Sequence, residues 1–541
     1  MAPQPIPTYS ITAMRQLGTI QRRAAILITG AMKTTASSVL NVLADLLPIH
    51  LAVDKWRYNA AITLATIPDK HPLYDLTKRA AQRYVRSHPS PLHELFHTYS
   101  ITPRAMETIK PVQHPNTWKP RITTIIPKSK EEAIQGCHNG KSEIQIFTDG
   151  SMTEGGVGAA AVIHRTKGKE GPVTVQTRLG DARDHTVYEA ECAAIALGIF
   201  AIKGRRVKTV TINVDNQAAI MAAVDRKQGS GKYIIDFIHG QIDALRKRNS
   251  DLKLTIRWTP GHVGIKGNKE ADVAAKAAAA GTESKKKKVP TIFRKPLPRS
   301  KSAAKQVFYA EVKEAAMQAW HMSPQAAKLK DIINDNTVKH YRKMLAKLDH
   351  HTGSLWTQLK TGHIGLNAHL KRIHVSEMKT CPACGQFDES VDHLLRHCQA
   401  HEKHRKELRR KVKRGMTDIK KLLGNDRNAT HVMAFIRKTG RLPWTAGKGQ
   451  LEQWQGGTQG ARIQHGSRQE EGRGRGCRAR EQNEGGIMRW LRRGREEGGE
   501  SRFGERVREG LDEVRGRGEE AKSTAPTNAP NSQGPAYGLQ A

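Results

Sequence analysis

The chain has 541 residues, 37% hydrophobic and 5% aromatic, and carries 90 Lys and Arg against 51 Asp and Glu for a net charge of +39. That length allows roughly two to four domains, and the low apolar content argues against a chain packed throughout. So one-sided a charge is not needed by an ordinary solvated surface and points to nucleic acid or an anionic membrane as partner, with strongly salt-dependent binding to nucleic acid. Of six cysteines, Cys381, Cys384 and Cys398 cluster, while Cys137, Cys192 and Cys477 are scattered. This is no disulfide framework and implies a reducing, intracellular compartment. Met1-Ala2-Pro3 opens no signal peptide, and the apolar stretch 24–53 is interrupted by Lys33, Asn41 and Asp45, so no membrane association is expected.

In chain order, residues 1–100 read as helical. Gln21 to Leu27 and Ser37 to Leu47 place apolar residues at helical spacing, and Pro48 stops the second run. Residues 101–142 are Pro-rich and polar and read as a linker. Residues 143–281 then predict strands at 143–148, 159–164 and 173–179, a helix at 187–203 and a buried strand at 207–214. Helices at 217–225 and 233–247, a strand at 252–258 and a helix at 269–280 follow. That order implies an α/β domain, a mixed five-stranded sheet flanked by helices. Residues 282–302 form a basic linker with the run Lys285-Lys286-Lys287-Lys288, a motif compatible with nuclear residence. Residues 303–425 return to helices. The segment 445–541 is rich in Gly, Arg and Glu and lacks the apolar residues to offset its ordering entropy, so disorder is expected there.

Four acidic residues stand at strand ends or on helices of the α/β segment. Asp149 follows Ile144-Gln145-Ile146-Phe147-Thr148, and Asp215 follows the buried strand. Taken singly, Asp149-Gly150 is an ordinary turn and Asp215 an ordinary helix N-cap. Glu189 and Glu191 lie two apart on a helix and cannot face the same way. Both of their faces are apolar, so periodicity does not choose between them. The run from Trp258 to Asp272 is more specific, with His262 in a Gly-rich loop ten residues before Asp272. Four carboxylates gathered at one point would repel one another unless cations neutralise them, and paired divalent ions on such a cluster serve phosphodiester hydrolysis.

In this order and spacing the blocks resemble the type 1 ribonuclease H domain, over residues 143–281. The resemblance implies a ribonuclease H-like fold and hydrolysis of the RNA strand of an RNA–DNA hybrid by two-metal catalysis. It implies Asp149, Glu191, Asp215 and Asp272 as ligands of two Mg2+ about 4 Å apart, and selects Glu191 over Glu189. His262 would assist product release or proton transfer, and Ser151, Asn216 and Gln217 would contact the nucleic-acid backbone. Cellular members carry Asn residues where Thr186-Val187-Tyr188 stands here, and 225–232 leaves little room for an inserted basic handle.

Further on, Cys381-x2-Cys384-x8-His393-x4-Cys398 suits a closed tetrahedral Zn2+ site, with His397 and His401 as alternative ligands. The runs 21–31 and 359–367 resemble the C-terminal part of non-LTR retrotransposon polyproteins, where such segments follow the reverse transcriptase. Residues 1–100 would then be a thumb or connection remnant. The polymerase's Tyr-x-Asp-Asp motif is absent, so a retroelement fragment without polymerase activity is expected. The alternative function is a non-catalytic, nucleic-acid-binding remnant; oligomeric state is left open.

Overall fold

The computed structural model describes residues 10–442, except 83–84, 86, 113–114, 116, 167–170, 262, 334–340, 342 and 346–347. The expected tail at 445–541, Cys477 and His262 therefore lie outside the described residues.

The α/β segment is built on β2 (Ile144–Thr153), β3 (Gly156–Arg165), β4 (Val173–Gly180), β5 (Thr209–Val214) and β6 (Lys253–Trp258). A sixth strand, β1 (Thr123–Ile125), joins them, and the sheet runs β1-β6-β5-β2-β3-β4. Strands β1, β6, β5 and β2 are mutually parallel, whereas β3 and β4 are antiparallel additions. The five-stranded expectation is corrected to six. Three residues are too short to show a period, although the β-branched run Ile122-Thr123-Thr124-Ile125-Ile126 carried the propensity. Residues 101–142 also hold α6 (Lys130–His138), so the first expected linker is folded onto the sheet; Cys137 packs against Phe147.

Helix α7 (Val187–Ala201) lies against β2 and β3, with Ala190 and the run Cys192–Ile199 buried. An all-round apolar helix belongs inside a core. Helices α8 (Gln217–Val224) and α9 (Lys232–Arg248) pack beside it. On the other side α10 (Lys266–Ala279) presses an alanine face, Ala271, Ala274, Ala275 and Ala278, onto the sheet. The second expected linker is also built in. Ser284 N–H donates to the Gln176 carbonyl at 3.0 Å along the outer edge of β4, while Val289 and Phe293 are buried in the main core of the sheet. Such a strap covers an edge that would otherwise template foreign strands.

The helices before and after this module share cores. The first set is α1 (Ile11–Thr29), α2 (Ser37–Ala44), α3 (Ile49–Ala65), α4 (Tyr74–Gln82) and α5 (Pro91–Thr98). After the module come α11 (Lys301–His321), α12 (Pro324–Leu329), α13 (His350–Thr361), α14 (Asn367–Arg372), α15 (Glu402–Val412), α16 (Ile419–Gly424) and α17 (Ala429–Thr439). Tyr58 of α3 stacks on Phe308 of α11 at 3.9 Å, and its hydroxyl donates to the Ala304 carbonyl at 3.0 Å. Val39 and Leu43 of α2 pack in one cluster with Trp356, Leu394 and Ile436. No single described helix is long and apolar enough to cross a membrane.

Candidate active site

Parallel pairing of β2 with β5 puts Thr148 opposite Val214, so the next residues, Asp149 and Asp215, emerge side by side at the same end of the sheet. Helix α7 brings in the third carboxylate. Its backbone comes so close to β2 that a Cβ on Gly150 would sit 2.6 Å from the Glu191 nitrogen, so only glycine fits there. One carboxylate oxygen from each of Asp149, Glu191 and Asp215 lies within 4.8 Å of the other two. Behind them the Trp258 indole N–H donates to the Asp215 carbonyl at 2.9 Å and fixes the turn after β5.

The α7 carboxylates separate by role. Glu189 completes a capping box, its carboxylate accepting from the Thr186 N–H at 2.9 Å while the Thr186 hydroxyl accepts from the Glu189 N–H at 3.2 Å. The sequence pattern Thr186-x-x-Glu189 is the signal of such a box. Glu191, one residue beyond the next, faces the acidic cluster. Likewise the N-cap of α8 is Asn216, whose side chain accepts from the N–H groups of Ala218 and Ala219 at 2.9 and 3.3 Å, which leaves Asp215 to the cluster. The cap thus occupies Asn216 Oδ1, a residue expected to touch nucleic acid. Gln217 is exposed and Ser151 half-buried on β2.

Asp272, on the first turns of α10, stands next to this trio rather than in it. Its Oδ2 accepts from Lys276 Nζ at 2.8 Å, yet its charge is felt at Asp149. Burial, then the charges of Asp215 and Asp272, push the Asp149 carboxyl up to about 7. Burial and the charges of Asp215 and Asp149 push Glu191 up to about 10. Glu191 Oε2 is buried with no hydrogen-bond partner. A buried, unpartnered carboxylate oxygen beside two further carboxylates is an unfavourable arrangement for the protein alone and a suitable one for a hard divalent cation. The residues therefore fit the expected ion.

A second cluster forms in the C-terminal helical region. Ligand atoms of Cys381, Cys384, His393 and Cys398 lie within 4.8 Å of one another, with Sγ of Cys381 and Cys398 3.8 Å apart and Cys384 Sγ 3.4 Å from His393 Nε2. Neither His397 nor His401 belongs to the group; His397 instead sits 3.3 Å from Asp392. Burial, then the Arg405 charge, lowers the His393 pKa, which favours the neutral imidazole that a metal ligand needs. Backbone N–H groups of Gln386 and Phe387 lower the Cys384 thiol, whereas burial and Cys381 push Cys398 up to about 11. Three soft sulfurs and one imidazole, mutually close and without a disulfide, fit Zn2+.

Fold and acidic trio together define a ribonuclease H-type module. Residues 141–280 match the family model described as RNase H. Among solved structures, the chain is similar to a protease–reverse transcriptase of prototype foamy virus, at 18% identity over 27% of this chain and TM-score 0.22; the match spans 22% of that chain. It is also similar to LC9-RNase H1, a type 1 RNase H with the type 2 active-site motif, at 20% identity over 26% of this chain and 75% of that one, TM-score 0.21. RNase H1 of Halobacterium salinarum shows 17% identity over 25% of this chain and 96% of that one, TM-score 0.19. Comparison with curated proteins finds no match.

Proposed function

We propose that the chain is a metal-dependent endoribonuclease that cuts the RNA strand of RNA–DNA hybrids, carried in a retroelement-derived protein. The convergence of Asp149, Glu191 and Asp215 within 4.8 Å, with Glu191 Oε2 left without a partner, carries the reading. Asp149, Glu191 and Asp215 would hold divalent ions, with Asp272 contributing from α10. Bound there, such ions supply an activated water and neutralise charge at the leaving oxygen. The chain's own part is to set the carboxylates on rigid elements, to fix Asp215 through Trp258, and to keep apolar walls around Glu191. His262, which follows β6 in sequence, would move a proton. The 2′-hydroxyl of the substrate would distinguish the RNA strand.

The helical flanks and the three-Cys, one-His cluster support nucleic-acid binding outside the catalytic module, since Lys371, Arg372 and Arg396 lie near the cluster in sequence and the whole chain is strongly cationic. The retroelement setting is supported by the flanking runs 21–31 and 359–367 together with that cluster.

The test is cleavage of a labelled hybrid by the full chain with Mg2+. Asp149→Asn should lower the rate by about 10²-fold or more while leaving hybrid affinity near the parent's. Parent and variant cutting equally fast would refute the catalytic reading. Hybrid binding without cleavage at any metal concentration would favour the non-catalytic remnant.

A further inference from the structure

We propose that the chain carries a second nucleic-acid site, a cationic cavity at the end of the sheet remote from the acidic trio, which takes one nucleotide of a single strand. The site does not depend on the catalytic reading above.

The cavity lies where the chain leaves α7 and α9 and turns into β5 and β6. Its volume is about 400 Å3, with Lys203, Arg205, Arg206 and Arg248 in its walls and Ile202, Leu245 and Leu252 as a buried apolar floor. Asn249 Nδ2 donates to the Val207 carbonyl at 2.6 Å, and the Lys253 N–H donates to the Lys208 carbonyl at 2.8 Å. The two turns are thus fixed against each other, and the opening between them is part of the fold. Here β5 and β6 start side by side, Thr209 opposite Lys253, and run parallel to Val214 and Trp258. Asp215 follows Val214, so the length of β5 sets the cavity roughly 20 Å from that carboxylate.

Compensation of the two helix ends does not account for so many cations. A helix C-terminus carries about half a negative charge, so α7 and α9 together call for about one cation. Residues 203–208 and 246–253 bring eight lysines and arginines against the one Asp251. Asp251 is exposed and accepts from the Ser250 hydroxyl at 3.3 Å. Asp243 of α9 pairs with Arg121 at 3.8 Å, and the Glu143 carboxylate accepts from the Lys208 N–H at 3.0 Å. The excess positive charge repels itself in the free protein, and a polyanion relieves it. Guanidinium groups bind phosphate oxygens two at a time, which suits Arg205, Arg206 and Arg248 to a phosphodiester.

Shape selects the strand. A duplex presents its phosphates on a stiff convex cylinder and cannot turn a nucleotide into a recess, whereas a single strand can. The cavity has room for one nucleotide, its phosphate against the arginines and its sugar or base on the aliphatic floor. An unpaired strand is then held at one end of the sheet while the acidic end stays free for a hybrid.

The experiment measures the affinity of the full chain for a fluorescent oligothymidylate, which stays unpaired, across a range of salt. Arg205→Gln, Arg206→Gln and Arg248→Gln together should weaken binding about tenfold or more. They should also flatten the plot of log affinity against log salt by about 2, since each phosphate contact on a single strand contributes about 0.7. The three corresponding changes to Lys should keep the slope. Gly204 lines the cavity and a Cβ there meets nothing within 4 Å, so Gly204→Leu fills the opening without removing charge. It should weaken binding with the slope kept. Hybrid cleavage at saturating hybrid should be the same in every variant. A triple Gln variant that binds no worse than a Lys285→Gln, Lys286→Gln, Lys287→Gln control overturns the proposal, because the cations then act only as diffuse charge. Gly204→Leu binding as tightly as the parent overturns the cavity as the place of contact. Displacement of the oligonucleotide by thymidine monophosphate at equal phosphate concentration would mark a free-nucleotide site and sink the strand reading. Slower cleavage at saturating hybrid would make this surface part of the hybrid's own track and overturn a separate site. If the parent cuts no hybrid at all, the catalytic reading fails, and the oligothymidylate titration still decides this one.

Discussion

At Glu191 the protein keeps a carboxyl where burial and two neighbouring carboxylates all disfavour its charge. The direction of the resulting pH dependence follows from linkage. Asp149 and Glu191 have folded pKa values above their ordinary ones, so the folded protein retains protons that the unfolded chain has released. Stability of the metal-free module is then highest near the ordinary carboxylate range and falls as pH rises toward about 7 for Asp149, and further for Glu191. In a chelator, the melting temperature of the module should drop between about pH 5 and pH 8, and Mg2+ should restore it with release of protons. Glu191→Gln should stabilise the metal-free module at neutral pH by on the order of 1–2 kcal/mol while removing the Mg2+ effect. A melting temperature indifferent to pH and to this substitution would contradict the account. Between Glu189 and Glu191 hydropathy is silent, and only the Thr186-x-x-Glu189 capping pattern separates them. Because α7 is buried on all sides, both residues lie on apolar faces, and no periodicity marks the one that caps the helix.

Elements, rather than single residues, explain why the strands and most helices of residues 143–281 were legible. Central parallel strands such as β5 read as continuous apolar runs, and α7 and α9 are long enough to show their type. Segments 101–142 and 282–302 look like linkers in sequence because they attach by short pairings and isolated anchors with no repeat. Glu107 is the clearest of these anchors. Its carboxylate is 1% exposed and accepts from the N–H groups of Gly231 at 2.7 Å and Lys301 at 2.6 Å, and from the Ser230 hydroxyl. It thereby joins the start of α9 to the start of α11, with a negative charge at two helix N-termini. Glu107→Ala strands these donors and should cost about 2–4 kcal/mol, with faster hydrogen exchange across 225–235. Glu107→Gln should cost less, since an amide oxygen still accepts. Equal, near-zero losses from both would show that the anchor is incidental.

For the whole molecule, the sharing of cores between the first and last helices has a consequence for metal loss. The cysteine cluster lies next to the core that contains Val39, Leu43 and Trp356, and the fully buried Arg405 donates to the carbonyls of Leu395 at 3.0 Å and Cys398 at 2.6 Å. Should a metal ion occupy the cluster, its removal would leave the thiolates of Cys381, Cys384 and Cys398 with nothing to hold them together beside the carbonyls that anchor Arg405. A strong chelator should therefore loosen the helical assembly, α1 and α2 included, and expose Trp356, while the sheet module around Trp258 keeps its own cooperative melt. Hydrogen exchange mapped to the two regions would check this; simultaneous loss of both would contradict it.

Strand β1 ends before residue 141, yet it is the neighbour that hydrogen-bonds along β6. A protein trimmed to the stretch that sequence similarity delimits would bare a row of unsatisfied amides and carbonyls on β6, inviting self-association through that side. The unit of inheritance and the unit of solubility differ here by one short strand.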